Sequence, residues 1–383
     1  MSLKFNSNGK FRIMQIADIQ DTQLTSKDTV NFIAAALDKD KPDFVVFTGD
    51  QIKGYGVNLL LGDKLKNAKQ AVSNFLKPVV ERKIPFTFVF GNHDAQFFAP
   101  EKEEQFNIYK SFDGCIAEIG DRSLAGLANH NIEISDSNEK KTVFNIYLID
   151  SLSMTPSGKC DAVTEGQLQW YKDTRERLKE ENNGEYVKSL VFQHIPMCEI
   201  WEMLKEVPKS SKPHANGYSE NYGKYYQINE EFLIKGNDDF LLETPSTPFE
   251  NSGEFDVLRE KGDIIGVFFG HDHNNSFVGK YNGLVMGYTQ GCGFNIYGPK
   301  LNRGVRIIEL DENDLSTFKT YTTLYKDLFS FKDLNNKLKY LAYSYSPPSV
   351  ESVVPFLKKA AITAGLTAAA VTTALIIKVK KKR

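Results

Sequence analysis

The sequence has few cysteines, little net charge and no apolar run near its first residue. The four cysteines, Cys115, Cys160, Cys198 and Cys292, are far apart and form no CxxC pair, which argues against a thiolate zinc site and is typical of reduced cysteines. A net charge of -2 gives no indication of nucleic acid as a partner. Residues 1–10 are polar and lack the apolar run of a signal peptide, so we expect a protein that faces the cytosol.

Apolar runs alternate with amphipathic stretches over the first half of the chain. The 383 residues are 41% hydrophobic and 25% charged, which is close to the average for globular proteins and sufficient for a sizeable core. Apolar runs of strand length stand at 11–17, 43–48, 85–90, 142–149 and 187–192. Helical patterns separate several of these runs, so the sequence predicts βαβ units and a largely parallel sheet. Later runs between residues 264 and 325 are joined by short turns and predict antiparallel strands.

Changes in composition indicate how the chain is organised. We predict one large domain over residues 1–325. Residues 207–252 are rich in Pro, Gly, Asn, Ser and Tyr and have little periodicity, so we interpret them as an insertion in that domain. We predict a linker over residues 326–357 and a tail anchor over residues 358–383.

The tail anchor is predicted from an uncharged stretch, residues 360–377, with lysines on both sides. At ~1.5 Å per residue, a helix of that length spans about 27 Å, which is enough for the core of a bilayer. We therefore predict a single-pass transmembrane helix that holds the large domain in the cytosol, at a mitochondrion-like outer membrane or the ER. Because the stretch is rich in Ala and Thr, a surface helix or a disordered tail is the alternative.

Polar side chains of metal-binding types follow five of the predicted strands. In chain order they are Asp18, Asp50, Asn92 with His93 and Asp94, His194, and His271 with His273. Open α/β sheets bind ligands beyond the carboxyl ends of their strands, so these residues are expected to converge although they are far apart in sequence. Carboxylates, a carboxamide oxygen and imidazoles suit divalent or trivalent first-row metal ions. A single histidine in such a place is more often structural, but four of the six histidines stand there.

The order of these motifs resembles the calcineurin-like metallophosphoesterase superfamily. The matching residues are Asp18, Gly49-Asp50, Gly91-Asn92-His93-Asp94, His194 and Gly270-His271-Asp272-His273. The later sequences GHDHNN, GCGFNIYG and RGVRIIEL resemble the purple-acid-phosphatase-related branch of that superfamily. The resemblance implies an α/β fold in which helices flank a sandwich of two β-sheets, here with the predicted C-terminal transmembrane helix added.

The resemblance also implies a site for two metal ions, most simply Mn, Fe or Zn. Asp50 would bridge both ions. The other ligands would be Asp18 and His273 for the first ion, and Asn92, His194 and His271 for the second. Such a pair of ions, ~3.5–4 Å apart, clamps a phosphoryl oxygen and lowers the pKa of a bridging water, whose hydroxide attacks phosphorus.

The resemblance gives His93 a role in the reaction with a phosphate-ester substrate. His93 would not bind metal but would face the phosphate, as an acid or as a stabiliser of charge on the leaving oxygen. Asp94 would hold the His93 ring by a hydrogen bond. The implied activity is that of a phosphatase, and the same motifs also fit a phosphodiesterase.

Two positions depart from the pattern of the family. Many relatives have histidine two residues after the first aspartate, where this chain has Gln20, so Gln20 is a candidate but weaker ligand of the first ion. Purple relatives have tyrosine where this chain has Lys53, and the nearby Tyr55 is interpreted as a loop residue. Gln20 keeps open a different class of function, a catalytically weak, membrane-tethered binding module. Arg303 is interpreted either as a phosphate ligand or as a solvated surface residue. The sequence gives no indication of the oligomeric state.

Overall fold

Strands form where the apolar runs lie in the sequence. The computed structural model describes residues 2–155, 159–234, 236 and 238–346. The strands in these residues are β1 (Leu3–Lys4), β2 (Lys10–Ile16), β3 (Phe44–Thr48), β4 (Phe86–Val89), β5 (His130–Ser135), β6 (Thr142–Leu148), β7 (Lys188–Phe192), β8 (Leu204–Glu206), β9 (Ala215–Asn216), β10 (Tyr225–Ile228), β11 (Phe240–Leu241), β12 (Ile264–Phe269), β13 (Asn275–Tyr281), β14 (Leu284–Tyr288), β15 (Gly304–Asp311) and β16 (Asp314–Leu324).

Several helices begin after a residue whose side chain caps them, and the longer helices bury one apolar face. In chain order they are α1 (Lys27–Asp40), α2 (Lys64–Glu81), α3 (Lys102–Lys110), α4 (Glu165–Glu181), α5 (Glu254–Arg259), α6 (Tyr325–Leu328) and α7 (Lys337–Ser344). The side chains of Ser26, Asp63 and Thr164 accept hydrogen bonds from the first backbone N–H groups of α1, α2 and α4. Each such cap is worth about 1 kcal/mol, because it satisfies a donor that the helix itself leaves unpaired.

Two large sheets face each other, and each contains a block of parallel strands. The five-stranded sheet has the order β16-β15-β2-β3-β4, in which β2, β3 and β4 are parallel. The eight-stranded sheet has the order β1-β5-β6-β7-β12-β14-β13-β11, in which β6, β7, β12 and β14 are parallel. Since parallel strands point the same way, each sheet gathers several carboxyl ends at one edge.

Every residue of β3 is buried because the strand has an apolar layer on both faces. Phe44 and Val46 face the core between the two sheets. Val45 and Phe47 face the opposite core, which α1, α2 and α3 cover. A third core lies on the outer face of the eight-stranded sheet, under α4 and α5. Burial on both faces explains why the central strands read as continuous apolar runs, and burying each large side chain is worth about 1.5–3 kcal/mol.

The predicted fold is wrong in two respects. The described residues form three sheets, because β8, β10 and β9 make a small antiparallel sheet beside the two large ones. This sheet lies around the predicted insertion, where strands of two to four residues are too short to give a periodic pattern. It is anchored on the core by Trp201, whose ring packs edge-on against Tyr226 with centroids 5.2 Å apart.

The predicted transmembrane helix is the second correction. Within the part of the chain that the structure describes, no helix is both long enough and apolar enough to span a bilayer. The longest helix there, α2, carries exposed lysines on one face and packs only its other face on the sheet. The uncharged stretch 360–377 itself lies outside the described residues. Of the predicted linker, residues up to 346 are described; they include the last three residues of α6 and all of α7, with Tyr340 of α7 buried beside Phe294.

Candidate dinuclear metal centre

The polar residues that follow the parallel strands converge between the carboxyl edges of the two large sheets. Asp18, Asp50 and Asn92 follow β2, β3 and β4 of the five-stranded sheet. His194 follows β7, and His271 follows β12, in the eight-stranded sheet. The site is therefore assembled from both halves of the sandwich, and its geometry depends on how the two sheets pack.

The potential ligands form two clusters that share one carboxylate. In one cluster, ligand atoms of Asp18, Asp50 and His273 all lie within 4.8 Å of one another. In the other, the same limit holds for Asp50, His194 and His271. The second cluster also contains Asn92, whose Oδ1 atom lies 3.0 Å from His194 Nε2. The structure thus brings Asp50 to the place between two clusters where a carboxylate can contact two ions.

Backbone carbonyl groups select the ring nitrogen that faces each cluster. His194 Nδ1 lies 2.9 Å from the carbonyl oxygen of Thr48, and His273 Nδ1 lies 3.0 Å from that of Tyr297. A carbonyl oxygen can only accept, so each Nδ1 carries a proton and each Nε2 faces the cluster. Partners of this kind fix the orientation of metal-binding imidazoles. The ring of His273 is also stacked on Tyr297, with centroids 4.2 Å apart.

The charges at the centre fit metal ions. Asp18 and Asp50 are fully buried, and among the described residues their ion-pair partners are histidines alone. Two buried carboxylates without a lysine or arginine are costly unless a cation neutralises them. The donor set of carboxylate oxygens, imidazole nitrogens and one amide oxygen suits first-row divalent ions. The residues present therefore fit a pair of metal ions.

The pKa values of these groups show the same demand for positive charge. Burial raises the pKa of Asp18 well above its ordinary value. Burial opposes ionisation of His194 as well, but attraction to Asp50 and Asp18 outweighs it and raises the His194 pKa to about 10. Burial lowers the pKa of His273 to about 3. The two buried carboxylates thus favour positive charge on His194, and a metal ion bound there would supply positive charge at the same place.

Strained backbone aims several of these side chains into the site. Asp18, Asp50 and His271 have φ angles of 53°, 54° and 74°, in the left-handed region that residues with a side chain rarely adopt. Each such residue costs about 1–3 kcal/mol and persists only where the surroundings impose it. Gly91 is required for a different reason, since a Cβ atom there would lie 2.2 Å from Asp50 Oδ1.

His93 lies beside the clusters and is held by Gln96, not by Asp94. The Nδ1 atom of His93 lies 2.6 Å from Gln96 Oε1, and its Nε2 atom lies 3.9 Å from Asp50 Oδ2. Asp94 is fully buried and accepts backbone N–H groups of Asp50, Ile52 and Gly91 at 2.7–2.8 Å. The expected hydrogen bond from Asp94 to the His93 ring is therefore wrong. Asp94 instead ties together the loops that follow β3 and β4.

This arrangement predicts a modest role for Gln96. We expect Gln96→Ala to slow hydrolysis by about 2- to 10-fold, the effect of losing one net hydrogen bond, while metal content stays at the wild-type level. Steady-state kinetics with metal analysis would measure both quantities. Gln96→Glu keeps an acceptor for His93 Nδ1 and is the matched control, with a smaller loss. A fall in metal content for Gln96→Ala would contradict this role.

The Gln20 side chain lies in the first cluster with its amide nitrogen directed inward. Its Nε2 atom lies 2.9 Å from Asp50 Oδ2 and 3.1 Å from His273 Nε2. Its Oε1 atom accepts the hydroxyl group of Tyr55 at 2.8 Å. The Tyr55 ring also packs edge-on against the His93 ring, with centroids 4.9 Å apart. Tyr55, interpreted from the sequence as a loop residue, therefore contacts Gln20 and His93, which both lie beside Asp50.

Arg303 matches neither of the two interpretations that its sequence context allowed. It is fully buried and donates to the carbonyl oxygens of Gly293 and Ile296. Its guanidinium group thereby holds the loop that presents the Tyr297 carbonyl oxygen to His273. Lys53 is also largely buried, donates to the carbonyl oxygen of Asn295 at 3.1 Å, and has its pKa lowered to about 8 by burial.

Two facing sheets with a shared-carboxylate metal centre at their carboxyl edge define a metallophosphoesterase-like fold. The chain belongs to the calcineurin-like phosphoesterase family, whose model matches residues 11–275. It is 28% identical to "Probable inactive purple acid phosphatase 29" of Arabidopsis thaliana, over 81% of this chain and 79% of that relative. It is 25% identical to "Phosphatase DCR2" of Saccharomyces cerevisiae, over 87% of this chain and 57% of that relative. A solved dimetal phosphatase from Danio rerio aligns with a TM-score of 0.47 and 14% identity, over 82% of this chain and 99% of its own.

Proposed function

We propose that this chain hydrolyses phosphate esters at the centre where two ligand clusters share Asp50. The observation that carries the proposal is the pair of clusters that share Asp50, with His93 beside them. A pair of ions held there would supply Lewis-acid chemistry, polarising a phosphoryl group and lowering the pKa of a bound water molecule. Asp18 and His273 would hold the first ion, and Asn92, His194 and His271 the second. The mixed oxygen and nitrogen donors favour Mn, Fe or Zn.

His93 is the residue we assign to the leaving group. Its side chain is 27% exposed, so a substrate can reach it, whereas the side chains of Asp18, His194 and His273 are almost fully buried. With Nδ1–H donated to Gln96, the Nε2 atom faces the site. A proton on Nε2 can be given to the leaving oxygen as the ester bond breaks, which removes the negative charge that develops there.

The proposal is tested by metal analysis together with hydrolysis of generic substrates. We expect the purified chain to bind two ions and to hydrolyse p-nitrophenyl phosphate, with activity lost in a chelator and restored by Mn or Zn. Bis(p-nitrophenyl) phosphate, assayed in parallel, separates a phosphatase from a phosphodiesterase. A chain that holds two ions and hydrolyses neither ester would contradict the proposal.

A catalytically weak module that binds phosphate esters is the second candidate function. The observation that favours it is the amide nitrogen of Gln20 in the first cluster, where a metal ligand would need a lone pair. Such a module would bind fewer than two ions at working metal concentrations. It would retain inorganic phosphate at the second cluster without turning over an ester, which equilibrium binding and the same assays would distinguish.

Gln20→His is expected to tighten the first metal site. Imidazole is a better ligand than an amide for most first-row ions. Titration with manganese or zinc would measure the affinity, with Gln23→His as a control on the neighbouring loop that should change nothing. Unchanged affinity in Gln20→His would show that the side chain at position 20 does not reach the ion.

A further inference from the structure

We propose that Gln20 competes with the first metal ion instead of binding it, and that Tyr55 holds Gln20 in the competing orientation. The proposal concerns the centre on which the proposed function rests, but it makes a claim about metal binding alone. It implies that the two ions bind in a fixed order, with the ion at Asn92, His194 and His271 first.

The two atoms that face the Gln20 amide nitrogen can only accept hydrogen bonds. Asp50 Oδ2 belongs to a carboxylate that has no proton to donate. His273 Nε2 carries a lone pair, because the proton of that ring is on Nδ1 and is donated to Tyr297. A Gln20 oxygen placed 2.9 Å from one acceptor and 3.1 Å from the other would be repelled by both. The nitrogen must therefore face inward when no ion is bound.

Tyr55 completes the hydrogen bonding of the Gln20 amide. The two N–H hydrogens have two acceptors, and the amide oxygen accepts the Tyr55 hydroxyl group at 2.8 Å. Gln20 is 1% exposed, so water cannot replace these partners. To turn its oxygen toward an ion, Gln20 would have to give up all three hydrogen bonds.

The two N–H groups of Gln20 stand where a positive charge is needed. They donate hydrogen bonds to Asp50 Oδ2 and His273 Nε2, and the first ion would use the lone pairs of these two atoms. That ion must displace them, and the displacement reduces its affinity. In the second cluster the N–H group that can face Asp50 is on His194 Nε2, 3.4 Å from Asp50 Oδ2. That proton leaves to solvent when an ion binds and the nitrogen then serves as a ligand, whereas the Gln20 amide cannot lose a proton and must be displaced.

The test is a titration of the full chain with Mn²⁺, in which electron paramagnetic resonance counts the free ion. For wild type we expect one ion to bind tightly and a second to need at least about tenfold more Mn²⁺. In Gln20→Met the competing N–H groups are gone, and a soft thioether is a poor ligand for Mn²⁺. We expect the weaker step to tighten by about tenfold, the effect of removing two net hydrogen bonds. If Gln20 were a ligand, the same substitution would weaken that step.

Tyr55→Phe provides a second test that leaves Gln20 in place. Without the hydroxyl group the amide oxygen loses its partner and can turn toward the ion, so we expect the weaker step to tighten by about fivefold. Tyr343→Phe is the matched control, because that ring also lies close to Lys53, 4.9 Å from Nζ, and is not a partner in the described hydrogen bonds of Gln20. His273→Ala should remove the weaker step and leave the tight one, which assigns it to the first cluster.

The proposal is overturned if Gln20→Met weakens the first-site affinity or leaves it unchanged. It is also overturned if His273→Ala removes the tight step of the titration and leaves the weak one. The hydrolysis assays are independent of these outcomes. A chain that binds Mn²⁺ in the expected order but hydrolyses no ester supports the competition and contradicts the proposed function.

Discussion

Asp50→Asn is expected to abolish hydrolysis and to lower the bound metal to less than about one ion per chain. The reason is that Asp50 lies in both clusters, so one carboxylate must balance charge for two cations. An asparagine keeps the shape of the side chain but supplies only one neutral oxygen. Metal analysis of the purified variant, with initial rates on p-nitrophenyl phosphate, measures both effects.

A matched control comes from another buried carboxylate on the same sandwich. Asp263 is fully buried and accepts the hydroxyl group of Tyr171 at 2.7 Å, but it precedes β12, at the opposite end from His271. Asp263→Asn should lose stability and keep its metal content and its rate per folded chain. Near-normal activity in a well-folded Asp50→Asn protein would show that the centre has been assigned wrongly.

His93→Ala is expected to slow turnover by ~10²–10⁴-fold, the usual effect of removing a general acid or base. Metal content should stay near the wild-type value, because the His93 ring lies beside the clusters with Nε2 3.9 Å from Asp50 Oδ2. The largest loss is expected for esters with poor leaving groups, since these depend most on protonation of the leaving oxygen. Rates on aryl and alkyl phosphates, with metal analysis, would measure this pattern.

His214→Ala is the control for a histidine outside the site. His214 lies in the three-stranded region, where its ring contacts the Ser211 carbonyl oxygen and packs edge-on against Tyr225. We expect neither rate nor metal content to change in this variant. If His93→Ala instead lost its metal, His93 would have to be reassigned as a ligand.

The convergence of the centre could be predicted from the sequence because it follows from strand direction. Asp18, Asp50 and His194 each stand two residues after a parallel strand, and the carboxyl ends of such strands meet at one edge. The core was predictable for a similar reason, since strands that are buried on both faces must be continuously apolar.

The partners of individual side chains could not be predicted, because neighbours in sequence are not always neighbours in space. Asp94 follows His93 directly, but its side chain turns toward the backbone N–H groups of the loops after β3 and β4. Gln96 is three residues away and reaches the ring because the loop bends back. The left-handed φ of Asp50, at 54°, is likewise a local backbone feature that no residue pattern specified.

Arg303 and Gln20 show why the partners of buried polar residues are especially hard to predict from the sequence. A buried arginine is rare, so a surface or ligand role was the natural interpretation of Arg303, whereas the structure uses it to satisfy backbone carbonyl groups of a loop. The orientation of the Gln20 amide depends on Asp50, His273 and Tyr55, three residues from different parts of the chain. Only their packing decides which end of the amide faces the site.

The measurement that tests the account most directly is hydrolysis as a function of the number of ions bound. The chain is freed of metal with a chelator and returned stepwise to Mn²⁺, and the rate on p-nitrophenyl phosphate is recorded beside the bound Mn²⁺. We expect little activity with one ion bound and a rise in rate that follows the binding of the second. Full activity in the metal-free chain, or no hydrolysis with both ions bound, would contradict a two-metal phosphoesterase centred on Asp50.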